Sequence, residues 1–256
     1  SAMFTLFNLI FQIKSNAFFW HEFQKSISLL LMCLNPESMI YQPESTNNSV
    51  RPLKRGITVY TGPMYSGKTT ALISTLERYT IAGINSVLFS PEKDARYSNT
   101  DVVTHSNKSH PAIKINNAEQ IFSHLDSENK EPVVIGIDEA MMFDSNLIEV
   151  CSNLRRLGYP VFLSCCDMDV FLNPFKLRDW KESINEITIG NILAIANNVV
   201  KVTAICRFNE NGNICGNEAS FTRLKEGIDE AKFLKGVVVG SDVYEAVCDL
   251  HHPFFK

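Results

Sequence analysis

Residues 62–69 read Gly-Pro-Met-Tyr-Ser-Gly-Lys-Thr and follow directly on the short apolar run at 57–60. The spacing Gly-x-x-x-x-Gly-Lys-Thr constrains the fold more than any other feature, because it works only where a buried strand ends and a helix begins. Its glycines let backbone N–H groups turn inward around phosphate oxygens, and the helix that follows turns its positive end to the same oxygens. In a loop of this kind Gly62, Met64, Ser66 and Gly67 form the cradle for ATP. Lys68 reaches the β- and γ-phosphates, and the Thr69 hydroxyl holds Mg²⁺. A glycine turn that binds nothing is the plainer alternative, and the strand signal before the loop and the helix signal after it weigh against that.

The remainder of the chain bounds what such a loop can serve. A length of 256 residues at 45% hydrophobic content supports one substantial core with a small appendage. A net charge of −4 without a basic run argues against nucleic acid or a membrane surface as partner. Seven irregularly spaced cysteines do not form a secreted disulfide framework; a reducing, cytoplasmic setting with some of them on a metal fits better.

Three segments follow from the pattern along the chain: an N-terminal extension and linker (1–55), an α/β body (56–201) and a small C-terminal unit (202–256). Ser1-Ala2 before Met3 reads as a remnant of tag removal. Phe4, Phe7, Ile10 and Phe11 recur at helical spacing, which predicts an amphipathic helix or helix pair, with an organelle address as the second reading. No uninterrupted apolar stretch there reaches the roughly 18 residues that cross a bilayer. Pro36, Pro43, Pro52 and a Ser/Asn cluster mark the linker. In the body, strands are predicted at 57–60, 87–89, 133–137 and 161–164, and helices at 68–82, 118–125 and 147–157. The polar stretch 91–107 is expected to be a loop with some helix over the phosphates. Alternating strands and helices predict a mostly parallel sheet flanked by helices, with ligands at the carboxyl ends of the strands. From about residue 202 short strands and turns take over.

Two further constellations carry chemistry. The apolar run 133–137 ends in Asp138-Glu139, which places carboxylates at the ligand edge of the sheet. Asp138 is the natural partner of Thr69 on Mg²⁺, and Glu139 can accept a proton from an attacking hydroxyl. Near the C-terminus stand Cys206, Cys215, Cys248 and His251. Cys248-x-x-His251 has zinc-knuckle spacing, whereas eight residues separate Cys206 from Cys215 instead of the usual two to four. The Asn-Gly at 211–212 lies in that interval and signals a hairpin turn that would bring the two sulfurs together. Cys33, Cys151, Cys165 and Cys166 read as thiols without a site.

Over about three quarters of its length the chain resembles the type II thymidine kinases, the zinc-containing cellular and bacterial group. The resemblance rests on the phosphate loop with its Pro63-Met64 pair, on Lys93-Asp94-Ala95-Arg96-Tyr97-Ser98, on Thr104-His105 and on Asp138-Glu139-Ala140. It extends to Asp167-Met168-Asp169, Pro174-Phe175, Ala219-Ser220-Phe221-Thr222-Arg223 and Tyr244-Glu245-Ala246-Val247-Cys248. It implies a RecA-like P-loop sheet and ATP-dependent phosphorylation of the 5′-hydroxyl of thymidine or deoxyuridine. Glu139 would be the base, Lys68 and Arg96 would stabilise the transferred phosphoryl group, and Met64, Phe175, Val239, Gly240 and Tyr244 would line the nucleoside pocket. A structural Zn²⁺ would tether a lasso at about 237–244, and the protein would form a homotetramer.

Departures from the family pattern are Met141 and Met142 after the acid pair, Val170 at an aromatic position, and an insertion of about ten residues after Phe175 that includes Arg178, Asp179 and Trp180. Two other functions share the phosphate loop: a P-loop ATPase acting on nucleic acid, and a nucleotide-binding relative with altered catalysis.

Overall fold

Apolar runs too short for helices, each followed by a helix with one apolar face, can be buried together only as a layered sheet. The computed structural model of the chain has that form. It describes residues 55–92, 101–103, 109–127, 133–179, 186–210, 212–228 and 243–255, all within the compact unit Arg51–Lys256. The predicted N-terminal helix and linker, Arg96 with its neighbours in 93–98, Thr104-His105, and Val239 and Gly240 lie outside the described residues.

In chain order the body contains β1 (Gly56–Thr61), α1 (Lys68–Ile81), β2 (Asn85–Pro91), β3 (Asp101–Val103), β4 (Ser109–Pro111), β5 (Ile113–Ile115) and α2 (Gln120–Ser127). It continues with β6 (Val133–Ile137), a 3₁₀ turn (Ala140–Met142), α3 (Leu147–Leu157), β7 (Pro160–Cys165), α4 (Ile189–Ile195) and β8 (Asn198–Lys201). Six strands form one sheet in the order β5-β2-β6-β7-β1-β8, and every pairing in it is parallel. Side chains alternate between its faces. Ile57, Val59, Ile135, Ile137, Val161 and Leu163 meet α2, α3 and α4 through Ile121, Leu147, Val150, Leu154, Ile189 and Ile192. On the opposite face Leu88 and Val134 meet Leu72, Ile73 and Leu76 of α1. Each such side chain taken fully out of water contributes about 1.5–3 kcal/mol, so both helix layers are firmly seated.

Several boundaries differ from expectation for local reasons. The helix expected from residue 118 starts at Gln120, because the Gln120 side chain accepts the N–H groups of Asn116 (2.7 Å) and Asn117 (3.3 Å) while Asn117 Oδ1 accepts the Gln120 N–H (3.2 Å). That reciprocal cap holds the preceding residues in a turn. In the stretch expected to be a loop with some helix, the β-branched Val102 and Val103 belong instead to β3, which pairs antiparallel with β4. Helix α4 is fixed by a capping box at Thr188, whose hydroxyl accepts the Gly190 N–H at 3.2 Å while Asn191 accepts the Thr188 N–H at 3.0 Å.

Beyond β8 come β9 (Ala204–Ile205), β10 (Asn209–Glu210), β11 (Asn213–Ile214), β12 (Glu218–Ala219), β13 (Phe221–Leu224) and β14 (Tyr244–Val247). They pair antiparallel as β9–β12, β10–β11 and β13–β14. Together they bury a second core of Ala204, Cys206, Ala219, Ala246, Val247 and Cys248. No helix of the described residues is long and apolar enough to cross a membrane.

Candidate active site and metal centre

The sheet order places the ends of β6, β7 and β1 side by side, so residues far apart in sequence converge at one edge. After β1 the chain turns at Gly62, whose φ of 148° belongs to glycine and whose missing side chain leaves room for the Val202 carbonyl; a Cβ would stand 2.0 Å from that oxygen. Gly67, at φ 82°, then swings the chain into α1. The first turn of α1 carries no acidic residue of its own, so its positive end is open to an incoming anion. Lys68 is buried and its Nζ donates to the Pro63 carbonyl at 2.6 Å, which holds the ammonium over the loop. The Ser66 hydroxyl donates to the same carbonyl at 2.8 Å. Tyr65 adopts φ 65°, packs against the second core and directs its hydroxyl to the Tyr244 carbonyl at 3.5 Å.

Asp138, just past β6, is buried, and its Oδ1 accepts the Thr69 hydroxyl at 3.0 Å and the hydroxyl of Ser164 from β7. A hydroxyl and a carboxylate meeting beside a helix N-terminus are the donor set that suits Mg²⁺ alongside a triphosphate. Glu139 follows at φ 49°, a left-handed conformation that costs a non-glycine residue about 1–3 kcal/mol. Burial by itself would lower the Lys68 pKa, yet it is raised, through the nearby Cys166, Glu139 and Cys165. Burial pushes both thiols up, so near neutral pH neither is ionised.

Of the residues expected at the nucleoside, Met64 and Phe175 are half-buried against the main core. The Met64 N–H donates to the Thr222 hydroxyl of β13 at 2.9 Å, and the Phe175 N–H donates to the Asp167 carbonyl at 3.0 Å. The Asp167 carboxylate pairs with Lys201 at 2.9 Å. Burial, with Cys166 nearby, pushes the Tyr244 phenol up to about 12. Met141 turns into the core, while Met142 is only half-buried.

The hairpin β10–β11, with Gly212 at φ 88°, folds the long interval between Cys206 and Cys215 back on itself. The ligand atoms of Cys206, Cys215, Cys248 and His251 all lie within 4.8 Å of one another. His251 Nδ1 is 3.3 Å from Cys248 Sγ and 3.5 Å from Cys206 Sγ, and the Cys215 and Cys248 sulfurs are 3.9 Å apart. Bonds of about 2.3 Å to sulfur and 2.0 Å to nitrogen at tetrahedral angles place two sulfurs about 3.8 Å apart and sulfur and nitrogen about 3.5 Å apart. The four groups therefore fit a zinc ion. Around them, the Arg223 guanidinium donates to Glu245 Oε1 through Nε (2.9 Å) and Nη2 (2.7 Å) and to the His251 carbonyl through Nη1 (3.2 Å). Phe208 stacks on the His251 ring at 4.2 Å between centroids.

Sequence reasoning did not single out Ser164 or Lys201, since a hydroxyl and a lysine without motif spacing carry no signal of their own; Thr222 figures only within the stretch 219–223, with no role assigned to its hydroxyl. Cys166, read as a thiol without a site, lies beside Lys68 and Tyr244. Its place directly after β7, at the ligand edge, was the available clue.

A phosphate loop at the carboxyl edge of a parallel sheet, with a strand-end aspartate on its threonine, defines a P-loop nucleotide-binding α/β protein. The family model described as Thymidine kinase matches residues 55–252. The chain is 36% identical over 203 residues to the thymidine kinase of Mycoplasma genitalium, covering 78% of this chain and 85% of that one. It is 34% identical over 200 residues to the thymidine kinase of Ureaplasma urealyticum, covering 77% and 82%. Among solved structures, the ATPase DotB of Legionella pneumophila overlaps 66% of this chain and 46% of that one at 17% identity, with a TM-score of 0.36, too low to bear on either fold or site. The chain belongs to the thymidine kinase family. That membership favours nucleoside phosphorylation over an ATPase acting on nucleic acid.

Proposed function

We propose that the chain transfers the γ-phosphoryl group of ATP to the 5′-hydroxyl of thymidine or deoxyuridine, in nucleotide salvage. The observation that carries this reading is the Thr69–Asp138 contact of 3.0 Å at the mouth of the phosphate loop, with Glu139 next in sequence. Mg²⁺ held by Thr69 and Asp138 would neutralise charge on the phosphates. Lys68 leaves the Pro63 carbonyl for phosphate oxygens, Glu139 takes the proton of the 5′-hydroxyl, and Gly62, Met64, Ser66 and Gly67 cradle the nucleotide. Met64, Phe175 and Tyr244 hold the nucleoside, with Val239 and Gly240 closing over it and Arg96 stabilising the transferred group; these last three assignments rest on family resemblance alone.

Cys206, Cys215, Cys248 and His251 would hold Zn²⁺ in a structural role within a C-terminal lasso unit at 202–256, distinct from the body at 56–201 and the extension at 1–55. Family resemblance supports a homotetramer and a cytoplasmic location.

The test is ADP formation with ATP, Mg²⁺ and a nucleoside panel. Thymidine-dependent turnover should appear in the parent protein and fall by at least about a hundredfold in Lys68→Ala and Glu139→Gln. No nucleoside-dependent turnover in the parent, or unchanged turnover in both variants, overturns the reading.

A further inference from the structure

The insertion after Phe175 departs from the family pattern, and its first residues reach the segment that follows Glu139. At the base of the insertion the Ile189 N–H donates to the Phe175 carbonyl at 2.8 Å, the Leu177 N–H to Ile187 at 3.2 Å, and Leu177 is fully buried. Arg178 then leaves this hairpin. Its N–H donates to the Phe143 carbonyl at 2.9 Å, and its guanidinium lies 3.4 Å from Asp144 Oδ2. Asp179 accepts the Ser145 N–H on one carboxylate oxygen at 2.8 Å and the Ser145 hydroxyl on the other at 2.6 Å. Asp144 is itself buried and accepts the Ala118 N–H at 3.1 Å. Three consecutive residues, Phe143, Asp144 and Ser145, are thus each gripped by Arg178 or Asp179.

Only the 3₁₀ turn Ala140–Met142 separates them from Glu139, and it is closed by Met142 N–H to the Glu139 carbonyl at 2.8 Å and Phe143 N–H to Ala140 at 3.3 Å. A turn this short and this bonded cannot absorb a shift at one end without passing it to the other. A left-handed glutamate persists only where its surroundings over-determine it. We propose that Asp179, with Arg178, is a positioning residue for Glu139: the clamp on 143–145 fixes the far end of the turn and holds Glu139 in its left-handed conformation. The role assigned to Glu139 rests on the proposed function; the clamp itself does not.

The test compares the parent with Asp179→Ala, Asp179→Asn and Ser145→Ala in steady-state kinetics and amide hydrogen exchange. Asp179→Ala should lower kcat about tenfold with thymidine KM and ATP affinity held within about twofold, as misplacement of a catalytic group does. Amide exchange at Met142 and Phe143 should quicken at least about tenfold. Asp179→Asn should recover most of kcat, because an amide can accept the Ser145 N–H and donate to its hydroxyl. Should Asp179→Ala not fold, Ser145→Ala, which removes one of the two bonds, carries the test with an expected loss of about threefold. Unchanged exchange at Met142 and Phe143, kcat within twofold of the parent, or loss of ATP affinity in step with kcat overturns the proposal. Glu139→Gln is run alongside: if it keeps parental turnover, the base reading falls, and the exchange data alone then decide whether the clamp exists.

Discussion

Gly62 and Gly67 belong to one motif, yet the structure asks different things of them. At Gly67 a methyl group would meet nothing within 4 Å, so replacement costs only the left-handed backbone, about 1–2 kcal/mol. At Gly62 it would meet the Val202 carbonyl at 2.0 Å, and a backbone atom has no rotamer to escape into. Gly62→Ala should therefore push the loop away from the strand ends and weaken ATP binding at least about tenfold, more than Gly67→Ala does. Calorimetric titration of both variants decides it: equal affinities would mean that the close approach to Val202 does not shape the loop. The same scale sets the state of Lys68. With its pKa raised, any stability it contributes is complete below 10.5, the ordinary lysine value, and is lost as pH climbs through the raised value.

At the scale of elements, Arg223 braces the β13–β14 pair against the Cys/His cluster, bonding Glu245 on one strand and the carbonyl of His251 in the cluster. Its side chain is 10% exposed and that of Glu245 16% exposed, so removing the guanidinium strands a nearly buried carboxylate. Arg223→Ala should cost about 3–5 kcal/mol of stability, measured by the denaturation midpoint of metal-loaded protein. Arg223→Lys should recover less than half, since an ammonium cannot reach Glu245 and the His251 carbonyl with the same planar spread of donors. A loss below about 1 kcal/mol for Arg223→Ala would remove Arg223 from the support of the cluster.

Which elements were legible in the sequence follows from the same physics. Strand β6 and helix α3 could be read to the residue, because a run buried on both faces and a stripe at 3.6 spacing leave clear patterns. Strand β8 is mostly exposed and α4 spans seven residues, so neither offered a pattern long enough to recognise. In the candidate site, the meeting of Thr69 and Asp138 was legible because loop spacing and a strand-end acid each point to the ligand edge. The tie from Met64 to Thr222 was not, since it spans 158 residues and uses one backbone N–H and one hydroxyl.

Taken whole, among the described residues the phosphate loop meets the C-terminal segment through the Val202 carbonyl against Gly62, the Thr222 hydroxyl on Met64, and Tyr65 in the core that holds Cys206 and Cys248. Two binding events that share a support this stiff exchange free energy, and thermodynamics requires the exchange to be mutual. Zinc loading should tighten ATP binding, and saturating ATP should raise zinc affinity by the same factor, on the order of 5- to 150-fold. Chelator competition with and without ATP, set beside ATP titrations of loaded and stripped protein, measures both sides; two independent affinities would show the three contacts to be passive. If that exchange is measured, the supply of a trace element would become part of how tightly the chain grips its phosphate donor, with Tyr65 among the contacts that carry it.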